Sequence, residues 1–270
     1  MTALVHEVEG DGARLVCFVH GILGSRRNWL SFARRFVRAH PDHRFVVVDL
    51  RAHGDSPRGD PPHTLTSCAH DLAETFAQVG DEPSLLIGHS FGGKVALAYA
   101  RDHGAALDDV VLVDSPPTTT DARRGRKEIE RVLAVLGEIA LPIADRGALV
   151  DALLSRGLSE PIARWMTTNV RPTEGGLTWR FDMSIARTLV DDYGATSFVP
   201  FLLAHEGAPR FTLVKGGRSD RFTPEDDAVL SDLEARRKLT VHVVPEAGHW
   251  LHTDDPDALA RILDDVVTSR

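Results

Sequence analysis

The sequence predicts an α/β protein: a mostly parallel, doubly wound sheet with a helical segment inserted into it. Three observations carry that prediction. Short continuous apolar runs such as Phe45–Asp49 and Ser84–Ile87 alternate with stretches of helical period, as expected of parallel strands covered on both faces. A glycine-flanked serine, Gly88-His89-Ser90-Phe91-Gly92, stands where one such strand gives way to a helix-compatible run. Between residues 118 and 200 the alternation lapses into a mostly helical pattern, and it resumes afterwards.

Along the chain, Ala3–Val8 and Arg14–Val19 read as strands joined by the turn-rich Glu9-Gly10-Asp11-Gly12. Asn28–Arg38 is an amphipathic helix with Trp29, Phe32, Phe36 and Val37 on its apolar side. The β-branched run Phe45–Asp49 is a buried strand, and Thr64–Val79 is a helix with Leu72, Phe76 and Val79 at helical spacing. Strand Ser84–Ile87, helix Gly92–Arg101 and strand Asp109–Asp114 follow. After the insertion come strands Phe211–Lys215 and Thr240–Val244 and a closing helix from Pro256. The expected organisation is a core of residues 1–117 and 201–270, with a helical lid of residues 118–200 inserted after strand six, over the C-terminal edge of the sheet.

A chain of 270 residues can bury a full core as one α/β domain. Its net charge of −8 and its lack of a long Lys/Arg block argue against nucleic acid as a partner. Arg123, Arg124, Arg126 and Lys127 stand beside Glu128 and Glu130 and read as a solvated helix face. Met1–Gly10 alternates like a strand and carries acids, unlike a signal peptide, and no apolar run approaches the roughly 18 residues of a membrane span. Cys17 and Cys68 lack metal-ligand spacing and are expected as buried thiols in a reducing, cytoplasmic setting. His249 and His252 have i, i+3 spacing without an acidic or cysteine partner beside them, so neither metal nor cofactor is expected.

The chemistry gathers around Ser90. A serine at a tight strand-to-helix turn is held out above the sheet, with a helix N-terminus beneath it that favours developing negative charge. Acyl transfer needs a base for the hydroxyl proton and an acid to orient that base. His249, in Glu246-Ala247-Gly248-His249-Trp250 just past the last strand, is placed to reach back to the serine. Two acids are candidates for the third role: Asp220, directly after the penultimate strand, and Asp114, ending the strand that follows the serine's helix. The glycine-rich His20-Gly21-Ile22-Leu23-Gly24-Ser25 can curl toward Ser90, so that the N–H groups of Ile22 and Phe91 converge on an oxyanion. His20, His53 and His89 are read as loop braces. Leu23, Trp165, Trp179 and Phe181, with Met166 and Met183, are candidates for an apolar substrate pocket, although packing of the insertion onto the core would use the same residue types.

With these residues in hand, the chain resembles the α/β-hydrolase superfamily over essentially its whole length. The marks are His20-Gly21, Asp49-Leu50-Arg51-Ala52-His53-Gly54-Asp55-Ser56, the turn at Ser90 and Gly248-His249. More narrowly it is similar to the small YbfF-type esterases and their mitochondrial abhydrolase relatives. That likeness rests on Gly92-Gly93-Lys94, Val113-Asp114-Ser115-Pro116, Thr168-Asn169-Val170-Arg171, Trp179-Arg180-Phe181 and Gly248-His249-Trp250-Leu251-His252. In the narrower group the position matching Asp220 often carries no acid, so that resemblance supports Asp114, while the general fold pattern supports Asp220. The resemblance implies an α/β-hydrolase fold and hydrolysis of esters and thioesters of modest acyl length, acyl-CoA-like ones included.

The expected function is a cofactor-free serine hydrolase acting on a small-molecule ester or thioester. Ser90 rules against haloalkane dehalogenases and epoxide hydrolases, which need a carboxylate nucleophile. Carbon–carbon hydrolases, cofactor-free perhydrolases and the lyase of menaquinone synthesis keep a serine triad, so they stay open, as does a non-catalytic sensor on the same scaffold. Oligomeric state is left open.

Overall fold

The computed structural model describes residues 3–120 and 124–269. Its elements run β1 His6–Glu9, β2 Arg14–Val19, α1 Arg27–Ala39, β3 His43–Val48, α2 Leu65–Val79, β4 Leu85–His89, α3 Phe91–His103 and β5 Asp109–Val113. The insertion follows with α4 Arg124–Gly137, α5 Arg146–Leu154, α6 Glu160–Met166, β6 Val170–Thr173, β7 Gly176–Trp179, α7 Met183–Ala195 and α8 Val199–Ala204. The chain closes with β8 Arg210–Gly216, α9 Pro224–Ala235, β9 Thr240–Val244, α10 Leu251–Asp254 and α11 Pro256–Thr268.

The main sheet has seven strands in the order β1-β3-β2-β4-β5-β8-β9, all parallel except β1. Strand β2 is the third of the seven, and from it the chain winds first to one side, into β3, and then to the other, into β4. The crevice between the ends of β2 and β4 is therefore the switch point where open α/β sheets bind ligands. Alternate residues of each strand feed opposite layers. Leu15, Cys17 and Val19 pack toward α2 and α3, against Leu72, Phe76 and Val95. Val16 and Phe18 pack toward α1 and α11, against Trp29, Phe32, Phe36 and Leu263. Truncating Phe76, which is wholly buried, should destabilise by about 3–5 kcal/mol.

The structure departs from the sequence reading in three places. The first strand begins at His6 rather than Ala3, because side chains hold the backbone before it: Leu4 N–H donates to Thr75 Oγ1 and Val5 N–H to Ser56 Oγ, at 3.0 and 2.8 Å. The insertion leaves after the fifth strand of this chain, not the sixth, since a single strand precedes β2. It also contains an antiparallel hairpin, β6–β7, paired from Val170↔Trp179 to Thr173↔Gly176, in a stretch read as helical. Four-residue strands are too short to show a period, and the Glu174-Gly175 turn with Gly175 at φ +81° closes them. Of the basic cluster before Glu128, Arg123 and the side chains of Arg124 and Arg126 lie outside the described residues, and Lys127 is exposed.

The insertion has its own apolar cluster, including Val132, Leu136, Leu149, Leu153 and Met166. Its far end docks on the loop after β3. Arg180 donates to Asp55 at 2.6 Å and Asp182 N–H to the Ala52 carbonyl at 2.9 Å, while Leu65 N–H donates to Asp192 at 2.7 Å. Its two ends meet at Lys94 on α3. This fully buried ammonium donates to the carbonyls of Thr118, Tyr193 and Thr196 at 2.7, 2.7 and 2.8 Å. Three acceptors match its three protons, which is how a buried lysine stays charged. Among the described residues no helix is long and apolar enough to cross a membrane. Cys17 and Cys68 are buried and free, and burial raises both thiols above their ordinary value.

Candidate active site

Ser90 stands between β4 and α3 with φ +52° and ψ −117°, a backbone strained for a residue with a side chain. Its neighbours must be glycine because backbones cross there. A Cβ on Gly88 would come within 2.1 Å of the Gly92 carbonyl oxygen, and one on Gly92 within 2.6 Å of the Val19 carbonyl oxygen. The loop after β2 lies against this turn, so close that a Cβ on Gly21 would be 3.3 Å from that of Ser90. Ile22 follows Gly21 on this loop, and Phe91 opens α3 directly after the serine. Leu23 N–H is already engaged by His53 Nε2 at 3.1 Å.

Two histidines lock the loop in place. His20 Nδ1–H donates to the Gly21 carbonyl at 2.7 Å while its Nε2 accepts from Leu50 N–H at 2.9 Å. His53 Nδ1–H donates to the Arg51 carbonyl at 2.8 Å. Burial lowers His20 to about 4 and His53 to about 3, so both rings are neutral braces with one donor and one acceptor nitrogen. Behind them Asp49 is wholly buried and accepts from the N–H groups of Arg26 and Asp55 at 2.7 and 2.9 Å.

His249, between β9 and α10, sits with Ser90 in the wall of one cavity of about 320 Å³. Its Nδ1–H donates to Asp114 Oδ2 at 2.6 Å, which leaves Nε2 as the basic nitrogen. Burial, seconded by the Arg221 guanidinium, lowers its pKa well below the ordinary imidazole value. His89 Nε2–H donates to the His249 carbonyl at 2.8 Å and steadies this loop from beneath.

Asp114 follows β5, wholly buried, and accepts two further hydrogen bonds: from Gly216 N–H at 2.9 Å and from the Ser219 hydroxyl at 2.5 Å. Burial pushes its carboxyl up to about 7, against the pull of these donors. The structure thus bonds His249 to Asp114 and not to Asp220, contrary to the general fold pattern, although the Asp220 charge still acts on the ring. Asp220 is half-exposed beside Arg221, 3.5 Å from its Nε. The loop after β8 turns so that Ser219, one residue earlier, is the side chain reaching inward. Sequence reasoning missed Ser219 as a brace, although it lay within the motif considered.

The cavity has an apolar wall from the insertion, Ile129, Val132, Ile162, Trp165, Val190 and Tyr193, together with Ile22 and Phe91. Of the four residues named for a substrate pocket, Trp165 lines this cavity. Leu23, Trp179 and Phe181 are not in the wall: Leu23 is fully buried in the insertion's cluster, and Trp179 stacks on Phe181 at 5.4 Å on the hairpin that docks beside His53. Met166 and Met183 also pack into that cluster. Arg221 and Glu128, which no motif announced, form an ion pair between the β8 loop and α4, and both line the cavity.

Among the described residues, His40, Asp42 and His43 gather closely enough to suggest a metal, at the start of β3 and so at the opposite edge of the sheet from Ser90. Each ring there already has a carboxylate, His40 with Asp264 at 2.7 Å and His43 with Asp42 at 2.9 Å.

Comparison with known proteins agrees with this geometry. A mouse protein named sn-1-specific diacylglycerol lipase ABHD11 is 30% identical over 252 residues, covering 92% of this chain and 80% of its own. Esterase YbfF of Escherichia coli K12 is 28% identical over 255 residues, covering 92% of this chain and 91% of its own. A solved marine microorganism esterase superposes with a TM-score of 0.83 at 22% identity, covering 98% and 99% of the two chains. A family model described as the alpha/beta hydrolase family matches residues 18–262, from within β2 into α11. With a sheet of that topology, a strained serine turn and a histidine loop facing it, the chain belongs to the alpha/beta hydrolase family of enzymes.

Proposed function

We propose that this chain is a serine hydrolase that cleaves carboxylic esters or thioesters through an acyl-enzyme on Ser90. The observation that carries the reading is the Asp114–His249 hydrogen bond of 2.6 Å beside a cavity that also holds the strained Ser90. His249 Nε2 takes the Ser90 proton as Oγ attacks the substrate carbonyl carbon. The N–H groups of Ile22 and Phe91 receive the oxyanion, and losing such a donor typically lowers turnover by roughly 100- to 1000-fold. His249 then gives its proton to the departing alcohol or thiol. A water, deprotonated by the same nitrogen, attacks the acyl-enzyme and frees the acid. Asp114 keeps the imidazole in the Nδ1–H tautomer and stabilises the imidazolium as it forms.

On this reading residues 118–200 are a lid and residues 1–117 with 201–270 are the catalytic core. The lid lines the cavity through Ile129, Val132, Ile162, Trp165 and Val190, so it selects the substrate's apolar part. A cavity of about 320 Å³ stands at the small end of ligand pockets, which favours short to medium acyl chains. The names of the mouse and E. coli relatives, a diacylglycerol lipase and an esterase, point to the same chemistry. Two free, buried cysteines suit a cytoplasmic setting.

The test is hydrolysis of p-nitrophenyl esters from acetate to palmitate, with acetyl- and palmitoyl-CoA, by wild type and Ser90→Ala. Turnover that falls by about 10⁴-fold or more in Ser90→Ala supports the reading. Turnover indifferent to Ser90, or none on any substrate, refutes it.

A further inference from the structure

Part of the cavity wall outside the insertion is polar. It is built from Asn28 and Trp29 on α1, and from His252, Thr253 and Asp254 on α10. His252 is held there firmly, its ring 4.6 Å from that of Trp29 and 4.9 Å from that of His89. Its Nδ1 is completely buried and has no hydrogen-bond partner among the described residues. Burial lowers its pKa to about 4, so the ring is neutral and carries one N–H. An orphaned buried N–H is rarer and costlier than an orphaned lone pair. The proton therefore belongs on Nε2, and the sealed Nδ1 leaves the Nε2 edge to face the cavity. The side of the cavity is also fixed by chemistry. His249 must stand beside the leaving group to protonate it, and His252 follows three residues later on the same loop and helix.

We propose that His252 is a specificity residue whose Nε2–H donates to an acceptor oxygen on the leaving group. This rests on the serine hydrolase reading above. The substrates it selects are esters or thioesters whose departing alcohol or thiol carries an ether, hydroxyl or carbonyl oxygen a few bonds from the scissile atom. A partial polyol ester and an amide-bearing thioester both offer that oxygen.

Two matched pairs separate these sources: 2-methoxyethyl butyrate against butyl butyrate, and S-butyryl-N-acetylcysteamine against S-pentyl thiobutyrate. For each pair, the ratio of kcat/KM values is compared among wild type, His252→Leu and His252→Gln. The ratio should fall by about 3- to 10-fold in His252→Leu for at least one pair, and that pair names the leaving group. His252→Gln, which restores a donor, should recover most of it. No change with leucine, or an equal fall with both variants, overturns the proposal.

A second measurement does not need turnover. In Ser90→Ala protein labelled with ¹⁵N-histidine, the His252 ring should be the neutral Nε2–H tautomer. Adding 2-methoxyethyl butyrate or the cysteamine thioester should move its Nε2 resonance more than the matched hydrocarbon does. The Nδ1–H tautomer, or equal responses within both pairs, overturns the proposal even if Ser90 is not the nucleophile.

Discussion

Ser90 and Asp114 leave the sheet side by side. They follow the paired residues His89 and Val113 of β4 and β5, Ser90 N–H donates to the Val113 carbonyl at 2.9 Å, and both hold positive φ, 52° and 50°. The two strands thus turn off the sheet at the same level, each strained at the residue that carries a functional group.

That strain is measurable at the serine. Ser90→Gly should be more stable than Ser90→Ala by about 1 kcal/mol, because glycine relieves a positive φ and alanine does not. Urea denaturation of the two inactive variants compares them directly. An alanine variant at least as stable would mean the turn is not strained.

The acid can be named by a pair of isosteric changes. Asp114→Asn should lower kcat by about 10⁴-fold, since an amide in place of the carboxylate favours the wrong imidazole tautomer. Asp220→Asn, half-exposed and off the imidazole, should stay within a few fold of wild type. The reverse ranking would return the role to Asp220.

Arg221 should set the acid limb of the pH profile. After burial, its positive charge is the main influence lowering His249, and the reaction needs a neutral imidazole. Arg221→Gln removes that charge, so the imidazole holds its proton to higher pH and the acid limb of kcat/KM moves upward. Glu128→Gln leaves the charge less balanced and should move the limb the other way. Parallel shifts in both variants would exclude an electrostatic cause.

Folding stability should fall as pH drops from about 6.5 toward 4. Burial puts His20 and His252 at about 4 and His53 at about 3, with His89 and His249 well below 6.5, so in this window the unfolded chain takes up protons that the folded one refuses. Asp114, raised to about 7, works in the opposite sense, as do Asp71 and Asp109, whose carboxyls burial also raises. The imidazoles outnumber them. The slope of Tm against pH should flatten in His53→Gln, and an unchanged slope would discount this ring.

Lys94→Met should loosen the insertion. It strips the carbonyls of Thr118, Tyr193 and Thr196 of their common donor and should destabilise by about 3–5 kcal/mol. Hydrogen exchange should rise first near residues 118–120 and 193–198. Uniform acceleration across the sheet would argue against a local role.

The sheet was legible because buried parallel strands write themselves as apolar runs, as in Phe45–Val48 and Leu85–Ile87. The serine turn was legible because backbone crossing tolerates only glycine at Gly88 and Gly92. The choice between Asp114 and Asp220 was not, because it turns on the angle at which one loop leaves β8, and no residue type encodes that angle alone. Trp179 and Phe181 misled for a related reason. An aromatic beside a pocket and one packed under a hairpin have the same composition and differ in which loop they meet.

The convergence of both ends of the insertion on one lysine has a consequence for how such a chain can diversify. Carbonyls that share one ammonium cannot stand farther apart than about two hydrogen-bond lengths, so the segment from Thr118 to Thr196 departs from the scaffold and returns to it at nearly the same point. It is a closed excursion whose two ends share one seam, with its far end resting on the loop after β3. Such a segment can be lengthened, shortened or exchanged for another without moving a strand of the sheet. The wall that selects a substrate and the frame that performs the chemistry are thereby free to evolve as separate parts.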